Sequence, residues 1–189
     1  MAALLIVWRH PRPKNVAGRC IGLTDVCVDA RKAKRLAHRI RQRARRESLP
    51  RVVWTSPLQR SAEVGRWLAR WGWQHLVDAR LSELDFGRWE GLSWDAIDPA
   101  EVQAWTDAFA THAPGGGESV SQLMVRSQAF LAEYRGRALC VVSHAGWINA
   151  TQRVLAGQAP PIQASEWPAA VPYAAAVAWP RSAGGAESQ

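Results

Sequence analysis

The chain has 189 residues, of which 48% are hydrophobic and 21% are charged. These proportions are typical of a globular protein and exclude a disordered, collagen-like or coiled-coil chain. The net charge of +8 arises in one segment, because residues 31–46 contain nine of the 24 Lys and Arg residues and no acid. Without these nine, 15 basic residues remain against 16 acidic ones. The length predicts one domain over residues 1–180, followed by a flexible tail at 181–189.

Cysteine usage and the N-terminus predict the cellular compartment. Cys20, Cys27 and Cys140 form no Cys-x-x-Cys pair, so they favour neither a disulfide framework nor a cysteine-based zinc site. Reduced thiols are typical of cytoplasmic proteins. The apolar run from Met1 to Trp8 has no basic segment before it and is too short to span a bilayer. We therefore expect a cytoplasmic protein with no membrane partner.

Short apolar runs predict the strands. Residues 2–8, 52–54 and 138–142 are almost uninterrupted apolar segments, which is typical of strands buried on both faces of a parallel sheet. Residues 173–179 predict a last strand at the edge of that sheet.

The segments between these runs have apolar residues at helical spacing. The first predicted helix covers residues 31–46 with Asp29 as its N-cap, and the second covers 61–71. The third covers 119–134 and begins at the N-cap Ser119. Because strands and helices alternate, we predict an α/β fold with a mostly parallel central sheet and helices on both faces.

Cationic side chains follow three of the predicted strands. Arg9 and His10 come directly after the first, Arg60 follows the second, and His144 comes after the third. In open α/β sheets, ligands bind at the carboxyl ends of the strands. Buried cations repel one another, so this group needs an anion at its centre. Arginine forks match phosphate oxygens and a neutral imidazole can attack phosphorus, which predicts a phosphoryl site.

Six motifs occur in order between residue 9 and about residue 149. They are Arg9-His10, Asn15-x-x-Gly18-Arg19, Ser56-Pro57-Leu58-Gln59-Arg60, Leu81-x-Glu83-Leu84-Asp85-Phe86-Gly87-x-Trp89-Glu90-Gly91, Gly116-Gly117-Glu118-Ser119 and Val141-Val142-Ser143-His144-Ala145-Gly146. Together they resemble the histidine phosphatase superfamily, in its phosphoglycerate-mutase-like branch. The resemblance implies a phosphoglycerate-mutase-like fold and hydrolysis of phosphate monoesters that needs neither a metal nor a cofactor.

The resemblance also implies a role for each matching residue. His10 is the nucleophile that becomes phosphohistidine, while Arg9, Arg60 and His144 hold the phosphoryl oxygens. Glu83 is the proton donor, which protonates the departing alkoxide and then takes a proton from the attacking water.

Two other carboxylates, Asp85 and Glu90, are the alternatives to Glu83 as proton donor, although we expect both to brace loops. Phosphate or substrate binding is further predicted for five residues, namely Asn15, Arg19, Arg12, Ala145 and Trp89. Arg12 compensates with its charge for Pro11, which has no amide N–H to donate and departs from the family pattern. Ala145 stands where the family frequently has glycine.

Within the superfamily, the chain is similar to the alpha-ribazole phosphatases of cobalamin biosynthesis. The resemblance lies in the small size, the Glu-Leu-Asp-Phe-Gly-x-Trp-Glu-Gly stretch and the Cys-x-Gly-x-x-Asp loop that starts at Cys20. The implied substrate is a small phosphorylated metabolite with a benzimidazole nucleoside as its leaving group. Trp89, Trp94 and Trp105 follow Glu83 in a segment expected to cover the pocket, and they suit an aromatic group.

Two alternatives remain open. The first is a phosphatase of broad or sugar-phosphate specificity. The second is a non-catalytic nucleic-acid- or protein-binding module that uses the basic helix 31–46, although we expect a solvated helix face there. The sequence also leaves open whether two copies pair as a homodimer.

Overall fold

The computed structural model describes residues 3–181. Its helices and strands are β1 (Ala3–Arg9), α1 (Ala30–Arg46), β2 (Val52–Thr55), α2 (Gln59–Ala69), β3 (Gln74–Val77), α3 (Pro99–Asp107), α4 (Val120–Glu133), β4 (Leu139–Ser143), α5 (Ala145–Leu155) and β5 (Ala176–Arg181). The strands form one sheet in the order β3-β2-β4-β1-β5. Only β5 runs antiparallel to its neighbour within this sheet. The predicted α/β fold with a mostly parallel sheet is confirmed.

Alternate residues of β1 point into two separate cores. Leu5 and Val7 pack with α4 and α5, where Phe130 is fully buried. Ile6 packs on the other face with α1, against Leu36 and other residues of that helix. This alternation follows from the pleat of a strand, in which successive side chains point to opposite faces. Helices therefore cover both faces of the sheet, and none within residues 3–181 has the length and hydropathy needed to cross a bilayer.

The predicted starts of two helices are confirmed by their caps. Asp29 Oδ1 accepts hydrogen bonds from the backbone N–H groups of Arg31 at 2.8 Å and Lys32 at 3.3 Å, at the start of α1. Ser119 caps α4 and forms a reciprocal capping box with Gln122. In each case the side chain satisfies backbone donors that have no partner inside the helix.

Two predicted boundaries were wrong. The second helix begins at Gln59 rather than residue 61, because Asp25 accepts from the Gln59 backbone N–H at 2.7 Å and caps the helix from a distant loop. The last strand covers Ala176–Arg181 rather than residues 173–179, so Arg181 belongs to this strand and not to the predicted tail. Residues 182–189 of the predicted tail lie outside the described residues.

Candidate functional site

Three adjacent strands bring the predicted site residues together. Because β2, β4 and β1 are neighbours and run parallel, the segments that follow them emerge at one edge of the sheet. A cavity of about 460 Å³ lies there. The polar residues in its lining include Arg9, His10, Arg19, Arg60 and Glu83.

His10 has the properties that a nucleophilic imidazole requires. The residue is 4% exposed, and its Nδ1 lies 2.8 Å from the carbonyl oxygen of Pro11. Since a carbonyl can only accept a hydrogen bond, Nδ1 donates, which leaves the lone pair of Nε2 available. Burial, reinforced by the charge of Arg60, holds the pKa of His10 well below its usual value. The ring is therefore neutral and directed for attack through Nε2.

Arg60 and His144 form a buried pair beside His10. Arg60 is 1% exposed, and its Nε donates to His144 Nδ1 at 3.2 Å. His144 Nε2 lies 2.7 Å from the Ser56 hydroxyl, and the ring centroids of His10 and His144 are 4.9 Å apart. Because Nδ1 accepts from Arg60, the proton of His144 resides on Nε2. Burial and then Arg60 hold the pKa of His144 well below its usual value, so two neutral imidazoles lie beside one buried guanidinium.

A loop after β1 orients Arg60 through two carbonyl groups. Arg60 Nη1 donates to the carbonyl of Thr24 at 2.8 Å, and Nη2 donates to that of Gly22. Glu90 holds this loop, since its carboxylate accepts from the backbone N–H groups of Gly22, Leu23 and Thr24 at 3.1, 2.6 and 2.9 Å. Burial would raise the pKa of Glu90, but hydrogen bonds from the Thr24 hydroxyl and from the backbone N–H groups of Thr24, Leu23 and Phe86 outweigh it and lower the pKa. Glu90 therefore braces the loop.

The other alternative proton donor also braces the backbone. Asp85 Oδ1 accepts from the Gly87 backbone N–H at 2.8 Å, and neither Asp85 nor Glu90 lines the cavity. Glu83 does line it. Its Oε2 accepts from the Gly146 backbone N–H at 3.1 Å, at the start of α5, and its Oε1 accepts from the Leu84 N–H at 3.0 Å. Of the three acids in this motif, Glu83 alone is placed to exchange a proton with a molecule in the cavity.

Tyr173 is a site residue that the sequence analysis missed. Its ring centroid lies 3.7 Å from the guanidinium carbon of Arg9 and 5.6 Å from the His10 ring. Arg9 Nη1 donates to the Val171 carbonyl at 2.7 Å, while Arg9 Nε is buried without a partner among the described residues. Burial lowers the pKa of Arg9. The segment before β5 thus holds Arg9 in place, and a lone tyrosine at the start of a predicted strand gave no signal of this contact.

The structure separates the remaining predicted binding residues into two groups. Arg19 and Ala145 line the cavity, where they can reach a substrate. Arg12 and Asn15 are exposed and do not line it, although Pro13 and Val16 beside them do. Trp89 is 1% exposed, and its Nε1 donates to Glu101 at 2.7 Å. Trp89 is therefore part of the packing behind the cavity wall, and its predicted contact with substrate was wrong.

Six aromatic side chains also line the cavity. They are Phe86, Trp94, Trp105, Phe109, Trp167 and Tyr173. Phe86 contacts Trp94 and Trp105 edge-to-face, with ring centroids 5.9 Å apart in both pairs. Trp94 is 39% exposed. This arrangement places an apolar, aromatic compartment directly beside the cationic one, which suits a phosphate monoester whose alcohol portion is apolar.

Comparisons with known proteins identify the family and its fold. The family described as "Histidine phosphatase superfamily (branch 1)" matches residues 5–175. Phosphoserine phosphatase 1 of Hydrogenobacter thermophilus is 30% identical over 149 residues, covering 74% of this chain and 70% of that protein. Glucosyl-3-phosphoglycerate phosphatase of Mycobacterium tuberculosis is 32% identical over 136 residues, covering 64% and 59%. The native structure of a mycobacterial glucosyl-3-phosphoglycerate phosphatase superposes with a TM-score of 0.77 at 27% identity, covering 94% of this chain and 90% of that one.

Proposed function

Because the chain belongs to the histidine phosphatase superfamily, we propose that it hydrolyses phosphate monoesters through a phosphohistidine at His10. The family predicted from the ordered motifs is confirmed, and the relatives reported above are phosphatases by name. One observation carries the proposal. A neutral, buried imidazole with an available Nε2 shares a cavity with Arg9, Arg60 and the carboxylate of Glu83.

The first step transfers the phosphoryl group to His10. Nε2 attacks phosphorus, the ester P–O bond breaks, and Glu83 gives its proton to the departing oxygen. Arg9 Nε, which has no partner among the described residues, is a donor for the phosphoryl oxygens. Nη1 and Nη2 of Arg60 each use one hydrogen on a loop carbonyl, and their second hydrogens are further donors for these oxygens. These fixed positive charges neutralise the transferring group, so the proposed reaction needs no metal.

The second step returns His10 to its starting state. Glu83, now a carboxylate, takes a proton from a water molecule that attacks the phosphohistidine. The P–Nε2 bond breaks, and inorganic phosphate leaves. The hydrogen bond from Nδ1 to Pro11 keeps the same tautomer throughout, so Nε2 remains the atom that bonds to phosphorus.

The cavity wall supports an aromatic leaving group. Trp94, Trp105 and Phe86 line the same cavity as the cationic residues. Among the described residues that line it, Arg19 is the only charged group besides Arg9, Arg60 and Glu83. Phosphoserine and glucosyl-3-phosphoglycerate, which the names of the relatives specify, carry charged groups that require polar partners, whereas the benzimidazole of alpha-ribazole 5′-phosphate is apolar. We therefore propose alpha-ribazole 5′-phosphate as the substrate, with a sugar phosphate as the alternative.

Turnover of p-nitrophenyl phosphate in the presence of EDTA tests the reaction. We expect His10→Ala to reduce kcat by at least about 1000-fold, and acid quenching of the unaltered enzyme to trap acid-labile phosphorus on a histidine. His38→Ala is the control, because His38 lies on α1 outside the cavity. Substantial turnover by His10→Ala would show that another group is the nucleophile.

A substrate panel tests the leaving group. Values of kcat/KM are compared for alpha-ribazole 5′-phosphate, phosphoserine, 3-phosphoglycerate and glucose 6-phosphate. We expect the first to be preferred, and Trp105→Ala to reduce kcat/KM for that substrate while phosphoserine turnover stays almost unchanged. A preference for a sugar phosphate would instead support the alternative.

A further inference from the structure

A partly buried ion pair lies next to the backbone of Glu83, and neither of its residues lines the catalytic cavity. Arg126, in the middle of α4, binds both carboxylate oxygens of Glu118, with Nε–Oε1 at 2.7 Å and Nη2–Oε2 at 2.8 Å. The two side chains are 20% and 17% exposed. A bidentate pair of this kind fixes the plane of the guanidinium as well as its position.

The remaining donors of Arg126 bind the backbone that carries Glu83. Arg126 Nη1 donates to the carbonyl groups of Arg80 and Ser82, both at 2.7 Å, and Nη2 donates to the carbonyl of Glu83 at 2.9 Å. All five N–H groups of the guanidinium are therefore used. The carbonyl of Leu81, which lies between Arg80 and Ser82 in the chain, accepts from the Ser143 hydroxyl at 2.7 Å.

Four consecutive carbonyl groups, at residues 80–83, are thus held by side chains from α4 and β4. These contacts anchor the backbone of Glu83, while the backbone N–H of Gly146 donates to its carboxylate. Arg126 does not line the catalytic cavity, so it has no access to a substrate there.

We infer that Arg126, held by Glu118, is a positioning residue for the proton donor Glu83. The inference rests on the proposed function. As the Nε2–P bond forms and the P–O bond breaks, the proton moves from Glu83 to the leaving oxygen, and Arg126 keeps its charge and its contacts. Lysine cannot replace Arg126, because an ammonium group has three donors and cannot span one carboxylate and three carbonyl groups.

The dependence of the reaction rate on the leaving group distinguishes a positioning role of Arg126 from a merely structural one. An alkyl phosphate needs protonation of its leaving oxygen, whereas p-nitrophenolate leaves without it. The value of kcat/KM reports this step, because it depends on every step from substrate binding up to the departure of the first product. Displacement of a catalytic group by about 1 Å can cost about 100-fold.

The experiment measures kcat/KM for a series of phosphate monoesters with leaving groups of increasing pKa. We expect Arg126→Lys to reduce kcat/KM about 10- to 100-fold for an alkyl phosphate, and at most about threefold for p-nitrophenyl phosphate. Glu83→Gln should give the same pattern. The double variant should lose little more than Glu83→Gln alone, because both changes remove the same proton transfer.

Two further variants make the result interpretable. Glu118→Gln weakens the bidentate pair and leaves the carbonyl contacts of Arg126, so we expect a smaller change in the same direction. Ile40→Val removes a buried methyl group on the opposite face of the sheet and serves as a stability control, for which we expect the leaving-group dependence to stay unchanged.

Each outcome has a defined meaning. Equal losses on all substrates in Arg126→Lys, while Glu83→Gln is selective, overturn the inference and leave the proposed function standing. If Glu83→Gln is itself unselective, the proton-donor assignment fails and the inference fails with it, although turnover that depends on His10 still supports the phosphohistidine. If Arg126→Lys does not fold, Glu118→Gln decides: a steeper leaving-group dependence supports the inference, and an unchanged one overturns it.

Discussion

Replacing Glu90 with glutamine tests whether the loop that carries Gly22 and Thr24 orients Arg60. The substitution exchanges one carboxylate oxygen for an NH₂ group. If the amide oxygen keeps the contacts of Oε2 with Gly22 and Thr24, the NH₂ group faces the backbone N–H groups of Leu23 and Phe86. Leu23 is 39% exposed, so water can satisfy its N–H, whereas Phe86 is partly buried.

The structure allows the magnitude to be worked out. One buried donor left without an acceptor costs about 1–3 kcal/mol, and the remaining bonds weaken because their acceptor is neutral. We expect the free energy of unfolding of Glu90→Gln to fall by about 2–4 kcal/mol. The carbonyls that hold Arg60 then loosen, and we expect the inhibition constant of inorganic phosphate to rise about tenfold, which corresponds to about 1.4 kcal/mol.

Denaturant unfolding followed by tryptophan fluorescence measures the first quantity, and competitive inhibition of p-nitrophenyl phosphate turnover measures the second. Glu47→Gln is the control, because Glu47 pairs with Arg43 at 2.8 Å where both side chains are 36% exposed. Such a pair contributes at most about 1 kcal/mol. A less stable Glu90→Gln variant with unchanged phosphate inhibition would refute the link to Arg60, and unchanged stability would refute the hydrogen-bond argument itself.

Three further predictions concern other parts of the site. A Cβ atom at position 146 would lie 2.3 Å from Glu83 Oε1, so we expect Gly146→Ala to displace that carboxylate and reduce kcat/KM for an alkyl phosphate at least about tenfold; an unchanged value would contradict the placement. Tyr173→Leu removes the ring that lies 3.7 Å from the Arg9 guanidinium, and a loss of about 1 kcal/mol of cation–π energy should weaken phosphate inhibition about fivefold. Burial holds the pKa of folded His144 well below 6.5, so the unfolded chain takes up a proton first as the pH falls. The contribution of neutral His144 to the free energy of unfolding is therefore complete above about pH 6.5. Below that pH the free energy of unfolding falls by up to about 1.4 kcal/mol per pH unit. Unfolding at several pH values between 5 and 7 should show a weaker pH dependence in His144→Gln, and an identical dependence would count against this assignment.

Local patterns in the chain were sufficient for the central part of the fold. The apolar runs identified β1, β2 and β4, because strands buried on both faces must be apolar throughout. The segments β3 and α3 gave no such signal, since β3 is an edge strand with exposed residues at both ends and α3 buries none of its side chains. Because elements at the periphery bury few side chains, their sequences show little apolar periodicity.

The sequence by itself also determined which reactive groups meet. Arg9 ends a buried strand, and His10, Arg60 and His144 lie in segments that follow one. The carboxyl ends of parallel neighbouring strands lie at the same edge of the sheet. Motif order alone identified the family, although it misplaced Trp89 in the substrate pocket.

Tertiary structure decided how those groups are held and what surrounds them. Tyr173 reaches Arg9 from the last part of the fold, and Arg126 binds carbonyl groups more than forty residues away along the chain. Hydrogen bonds to backbone carbonyls depend on the path of the chain in space, and any residue type supplies the same acceptor. No pattern of side chains along the sequence can therefore reveal them before the fold is known.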